Sequence, residues 1–232
     1  MKRISGPDDF AAAFGVSRET LDRLATYEKL LQRWQKAVNL VAPSTLGDVW
    51  HRHFADSAQL VALAPQARTW VDLGSGGGFP GLVVAILVAG SPQGRGKSAR
   101  ITLIESDTRK CAFLREVVRQ TGISPGAPAG SSPGLAVDIL SIRIENGTTQ
   151  SRLQAPEVVS ARALAPLDKL LSLAAPLFAP NTVGLFLKGR EAEAEIEAAA
   201  KAWDFDVDLV PSMTDASGRI VVVRQLERKA KE

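Results

Sequence analysis

The stretch Val71–Gly81, "VDLGSGGGFPG", places five glycines in eleven positions directly behind an apolar run. Glycine loses more backbone entropy on folding than any other residue, so such a cluster needs a reason. The usual one is a tight turn that brings backbone close to a ligand, often a phosphate or nucleotide. Around this stretch strand and helix patterns alternate. "TWVDLG" reads as a short apolar strand and "PGLVVAILVA" as a helix with Pro80 near its first turn. "ARITLIES" reads as a second strand, followed by a helix from Thr108 to Gln120. "LAVDILSIRIEN", "PEVVSARA" and "TVGLFLKG" read as further strands, with helices near 167–178 and 190–203. "DFDVDLVP" and "GRIVVVRQL" read as a terminal hairpin. Buried strands alternating with helices predict an α/β, Rossmann-like fold: a mainly parallel seven-stranded sheet with one antiparallel strand near its end.

Ahead of the first strand, Leu21, Leu24, Tyr27, Leu31, Trp34 and Val38 recur three or four apart. That spacing predicts an amphipathic helix over 17–38, with Ser17 as its N-cap. A second helix is expected over 48–64, ending before Pro65. The reading is an N-terminal helical extension, 1–67, followed by an α/β domain, 68–232. Gly, Pro and Ser dominate "GSPQGRGKSA" (90–99) and "SPGAPAGSSPG" (124–134), which read as mobile surface insertions.

The chain has 232 residues, 45% of them hydrophobic, enough to bury a large core. No run approaches the ~18 apolar residues of a membrane span. The start lacks the apolar core of a signal peptide, so a cytoplasmic protein is expected. Cys111 is the single cysteine, which excludes an internal disulfide and a Cys-rich zinc site. A net charge of +3 is too small to argue nucleic-acid binding alone. Arg95, Lys97, Arg100, Arg109, Lys110, Arg115 and Arg119 outnumber Glu105, Asp107 and Glu116, leaving room for a local basic surface beside the glycine loop.

In an open parallel sheet, ligands sit beyond the carboxyl ends of the strands, where Gly74, Gly76 and Gly78 are expected. This glycine spacing also occurs in NAD-binding proteins. Asp72 sharpens it: Asp-x-Gly-x-Gly-x-Gly resembles the first motif of S-adenosylmethionine-dependent methyltransferases. Glu105, at the end of the second strand, can accept both hydroxyls of a ribose. It lies farther from the glycines than the usual ~20 residues, and the 90–99 insertion accounts for the excess. Phe79 either walls the pocket or packs under the helix. No Asn/Asp-Pro-Pro-aromatic tetrad of amine methyltransferases follows the fourth strand, where "VVSARALAP" stands instead. Cys111 falls inside an amphipathic helix and reads as a packing residue rather than a pyrimidine-attacking nucleophile. What remains is chemistry that needs neither a base nor a covalent nucleophile, and a neutral ring nitrogen such as guanine N7 fits it, because its lone pair can attack the methyl directly.

"VDLGSGGGFPGLVVAI", "TLIESDTRKCAFL", "SARALAPL" and "FLKG", in that order, resemble the bacterial small-subunit (16S) rRNA guanine-N7 methyltransferases, the glucose-inhibited division protein B family. "WQKAVNLVAP" and "RHFADS" are similar to that family's N-terminal segments, so the resemblance runs from Leu21 to Val223. It implies a class I methyltransferase fold and S-adenosyl-L-methionine as cofactor. The cofactor residues it implies are Gly74, Gly76, Gly78, Phe79, Glu105, Ser106, Asp107, Ile144, Glu145 and Arg162. Glu105 would hold the ribose, and Ile144 and Glu145 would border the adenine. Arg162, after the fourth strand, would stand at the reacting centre, with Lys188, after the fifth, holding substrate phosphate or base. His53, Asp56 and Asn39 would either serve the site or cap backbone, with His51 a surface residue. His51, His53 and Asp56 lack the further ligands of a metal site, so none is expected. The implied partner is 16S rRNA in the small ribosomal subunit, met by a monomer away from any membrane. The acidic 191–208 segment is expected to be a solvated helix facing away from RNA. Two other readings stand beside this one: an NAD-dependent oxidoreductase, and a non-catalytic ribosome-assembly protein that binds RNA.

Overall fold

The computed structural model describes residues 3–91, 98–123, 134–145, 153 and 155–230. The expected insertions at 90–99 and 124–134 lie largely outside the described residues. Seven strands form one sheet: β1 (Thr69–Leu73), β2 (Ala99–Glu105), β3 (Leu135–Ser141), β4 (Val158–Arg162), β5 (Val183–Lys188), β6 (Trp203–Pro211) and β7 (Arg219–Arg228). Their order is β3-β2-β1-β4-β5-β7-β6. β1 to β5 pair in parallel, and β7 runs antiparallel to both β5 and β6, as the terminal hairpin predicts.

Strand residues alternate between two cores, because successive side chains point to opposite faces. Leu185, Leu187, Ile220 and Val222 join one core; Phe186, Val221 and Val223 join the other. The first face is covered by α2 (Arg18–Trp34), α4 (Gly81–Gly90) and α5 (Thr108–Thr121). The second is covered by α6 (Leu167–Ala174) and α7 (Ala192–Ala199).

The N-terminal part is richer than its periodicity announces. α1 (Pro7–Phe14) and a 3₁₀ segment (Pro43–Asp48) were not anticipated, and the helix expected over 48–64 is a π-helical turn (Trp50–Ala55) running into α3 (Asp56–Leu63). Ser17 caps α2 as expected, its Oγ accepting from Thr20 N at 3.3 Å. Phe10, Leu31 and Phe54 share one continuous core with Ile101 and Phe113 of the α/β part. No helix among the described residues is long and apolar enough to cross a membrane.

Two sequence expectations are corrected. β3 ends at Ser141, short of the expected strand: its partner β2 ends at Glu105, opposite Ser141, and the last bond between them runs from Ile142 N–H to the Glu105 carbonyl at 3.1 Å, while Asn146 lies outside the described residues. The acidic helix stops at Ala199, and Trp203 onward is strand, because Phe205 and Leu209 pack with period two against the second core and β7 supplies the ladder.

Candidate active site

The glycine loop joins β1 to α4 at the carboxyl edge of the sheet. Asp72 is fully buried beneath it. Its carboxylate accepts Ser160 Oγ–H at 2.7 Å and Gly81 N–H at 3.3 Å. Ser160 Oγ in turn accepts the Trp70 indole N–H at 2.7 Å, so Asp72 ties β1, β4 and the start of α4 together. Burial raises its carboxyl to about 6, although these hydrogen bonds pull the other way. Gly74 has φ of 64°, and a Cβ there would stand 2.6 Å from Leu164 Cδ1, so the turn admits glycine. Gly78 packs against α2: a Cβ there would meet the Tyr27 hydroxyl at 2.5 Å.

A cavity of about 340 Å³ opens beside the loop, lined by Gly74, Gly76, Glu105, Ser106, Ile144 and Glu145. Glu105 is buried at the end of β2; its Oε2 accepts Gly76 N–H at 2.9 Å and its Oε1 accepts Asp107 N–H at 2.8 Å. Each carboxylate oxygen keeps a lone pair, enough to accept two ribose hydroxyls. Gly78 and Asp107 do not line this cavity. Asp107 caps α5 instead, accepting Arg109 N–H at 2.8 Å and Lys110 N–H at 3.2 Å, bonds that hold its carboxyl below the usual range.

A larger cleft of about 730 Å³ shares Gly74, Gly76, Lys110, Ala163, Leu164 and Ala165 with the first, making one continuous space. Arg162, the last residue of β4, stands in its wall with the guanidinium carbon 4.8 Å from the Phe79 ring centroid. Phe79 therefore does both things considered for it: it lines this cleft and stacks on Tyr27 beneath the loop, centroids 5.3 Å apart. One guanidinium nitrogen of Arg162 donates to the Arg52 carbonyl at 3.0 Å and to Asp56 Oδ2 at 3.3 Å. The other meets His53 Nδ1 at 2.9 Å. Arginine has no acceptor, so Nδ1 must accept, and His53 carries its proton on Nε2, which donates to Thr45 Oγ1 at 2.8 Å. Burial first, then the Arg162 and Arg52 charges, lowers His53 to about 3, so the ring is neutral at physiological pH.

Lys188, closing β5, lines the same cleft, but its Nζ donates to Glu195 Oε2 and to the Ala165 carbonyl, each at 2.6 Å. Asn39 is exposed outside both cavities, accepting from Gln35 Nε2 at 3.4 Å. His51 is half-buried rather than a surface residue, because its Nδ1 accepts Ile4 N–H at 3.3 Å. Cys111 is buried in α5, with Sγ 3.3 Å from the Glu105 carbonyl. No group of three or more His, Cys, Asp or Glu among the described residues is placed to hold a metal ion. Sequence reasoning missed Thr45, Ser212, Thr214 and Ala163. The first three are ordinary polar residues with no local signal. Ala163 lines both cavities with φ of 51°, a left-handed conformation that costs a non-glycine residue about 1–2 kcal/mol.

The model of the family described as rRNA small subunit methyltransferase G matches residues 20–221. The chain belongs to that family. Ribosomal RNA small subunit methyltransferase G of Parvibaculum lavamentivorans is 50% identical over 225 residues, 97% of this chain and 91% of the relative. Its counterpart in Rhodospirillum centenum is 52% identical over 219 residues, 94% and 90% of the two chains. Among solved structures, a methyltransferase from Geobacter sulfurreducens superposes with a TM-score of 0.54 at 13% identity, covering 92% of this chain and 93% of that one. The fibrillarin/Nop5p complex contains a chain of TM-score 0.51 at 9% identity, covering 73% of this chain and 80% of its own. These distant likenesses bear on the fold alone, which is the class I methyltransferase fold. Membership in the rRNA small subunit methyltransferase G family makes the chain an S-adenosyl-L-methionine-dependent methyltransferase. The oxidoreductase and non-catalytic readings are set aside.

Proposed function

We propose that this chain moves a methyl group from S-adenosyl-L-methionine to N7 of a guanine in 16S rRNA of the small ribosomal subunit, acting as a monomer in the cytoplasm. One observation carries the choice of acceptor: among the described residues, the larger cleft offers no carboxylate or imidazole free to take a proton. Its lining carboxylates, Asp56, Glu195 and Asp215, are paired with Arg162, Lys188 and Arg52 at 3.3, 2.6 and 2.9 Å. His53 is neutral with both ring nitrogens engaged. An exocyclic amine acceptor must lose a proton, whereas N7 attacks with its lone pair.

When bound, S-adenosyl-L-methionine would supply an electrophilic methyl on its sulfonium, a group that a ring nitrogen can take with its lone pair as the sulfur keeps the electrons of the broken bond. In this reading Glu105 holds the ribose, Ser106, Ile144 and Glu145 border the adenine, and Gly74 and Gly76 let backbone come close. Arg162 orients the reacting groups from the wall of the larger cleft, next to Ala163 where the two cavities meet, but cannot act as a base. Lys188 is neutralised by Glu195, which leaves Lys110 and Arg219, cleft cations without a carboxylate partner among the described residues, better placed to meet RNA phosphates. Base-resolved mapping of N7 methylation, after incubating small-subunit RNA and particles with the protein and labelled cofactor, tests the reading. Label on a pyrimidine or an exocyclic amine would sink it.

A further inference from the structure

We infer that Asp56 is a positioning residue, which fixes the Arg162 guanidinium in the acceptor cleft and fastens it to the connection between β6 and β7. The inference rests on the functional reading above, which gives Arg162 its place beside the reacting groups. One carboxylate oxygen of Asp56 accepts from Arg162 at 3.3 Å. The other accepts from Thr214 Oγ1 at 2.7 Å, Gln59 Nε2 at 3.1 Å and Ser212 Oγ at 3.5 Å. Ser212 and Thr214 lie on the β6–β7 connection, so one side chain joins three elements: the end of β4, the start of α3 and that connection. The same two bodies are pinned again by Gln59 Oε1, which accepts Met213 N–H at 2.8 Å, and by Arg52 with Asp215 at 2.9 Å.

An acid in the first turn of a helix is often no more than a partner for the helix dipole. Asp56 does not fit that description. Besides Gln59 of its own helix, its oxygens accept from Arg162 of β4 and from Thr214 and Ser212 of the β6–β7 connection. Asp56 and Arg162 side chains are each 17% exposed, so the pair is screened from most solvent. A guanidinium on a flexible stem has many rotamers in an open cleft. Here three acceptors on the 52–56 segment hold it: the Arg52 carbonyl, His53 Nδ1 and Asp56 Oδ2. The first two come from the π-helical turn, a rare geometry that concentrates at functional sites. Burial lowers the pKa of the Arg162 guanidinium, and the Asp56 carboxylate opposes that shift.

The test is a double-mutant cycle read by single-turnover methyl transfer to small-subunit particles, with wild type, Asp56→Asn, Arg162→Gln and the double variant. Misplacing a reacting group by about an ångström costs roughly a hundredfold, so Asp56→Asn is expected to slow transfer between about ten- and a hundredfold. In the Arg162→Gln background the same change should add less than about twofold. Transfer by Asp56→Asn within about twofold of wild type, or effects that multiply in the double variant, would overturn the inference. If Asp56→Asn does not fold, Thr214→Val carries the same cycle, since it removes the shortest of the three hydrogen bonds to that oxygen of Asp56 while keeping both charges. A wild-type chain that methylates no small-subunit RNA overturns the functional reading instead. The placement of Arg162 is then still read from the His53 imidazole nitrogen shifts. Asp56→Asn, or Thr214→Val in its stead, must perturb these as Arg162→Gln does, and unperturbed shifts overturn the inference too.

Discussion

The Glu105 carboxylate already accepts two backbone N–H groups, from Gly76 and Asp107, before any ligand arrives. It therefore shapes the glycine loop and presents acceptors to the cavity at once. Hydrogen bonds to a charged group contribute about 1.5–3 kcal/mol, so Glu105→Ala should weaken binding of the demethylated cofactor roughly ten- to hundredfold in calorimetry. An unchanged Kd in a folded variant would place the ribose elsewhere. His53 offers a second check on the same scale. Its ring is held at about 3, against 6.5 in an unfolded chain. Between these values the unfolded state binds a proton that the folded state refuses, so its contribution to stability is lost as pH falls from about 6.5 toward 3. Arg162→Gln removes the cause second to burial, and NMR titration of the imidazole should then show a higher pKa. A titration that does not move would mean that Arg162 does not face His53.

Elements meet around the glycine loop through two buried side chains. Tyr27 of α2 donates its hydroxyl to the Gly77 carbonyl, and Asp72 of β1 holds Ser160 and Gly81. Tyr27→Phe leaves that carbonyl without its buried donor and should cost about 1–3 kcal/mol in urea unfolding; an unchanged midpoint would show that the bond is not needed. Asp72 titrates with the opposite sign to His53. Its folded pKa is raised to about 6 from 3.8, so a buried charge weakens the fold at neutral pH, and stability is regained as pH falls through that window. At 1.36 kcal/mol per unit the swing is about 3 kcal/mol. It offsets part of the His53 loss between pH 6 and 4. Unfolding across that range should therefore be steeper for Asp72→Asn than for the wild type, and parallel curves would contradict the raised carboxyl.

At the scale of the whole molecule, the helices before Thr69 and the sheet after it are built on one core. Phe10 and Phe54 pack in the same cluster as Leu82 and Phe113. A fragment from residue 68 onward would expose the apolar face of α4 and α5, and the pair Arg162–Asp56 would be broken. The full chain should unfold in one transition seen alike by circular dichroism and tryptophan fluorescence, and the 68–232 fragment should show no cooperative transition. Two separable transitions would make the helical extension a domain of its own.

Gly74, Glu105, Arg162 and Lys188 fall at the ends of β1, β2, β4 and β5, where the alternation of short apolar runs and helix patterns put them. That much is local: side-chain period and the demand for glycine at a left-handed turn belong to a few consecutive residues, and strands alternating with helices announce a mainly parallel sheet. The same logic overran past Ser141 and past Ala199, because where a strand or helix ends depends on the partner it meets and not on its own residues alone. What tertiary structure alone decided is the state of the side chains at those strand ends. Lys188 is neutralised by Glu195, His53 is kept neutral by burial and by Arg162, and Arg162 is held by a segment more than a hundred residues earlier. Asp56 meets Thr214 across 158 positions. Charge pairing and desolvation depend on which groups arrive together once the chain is folded, and no local pattern carries that information.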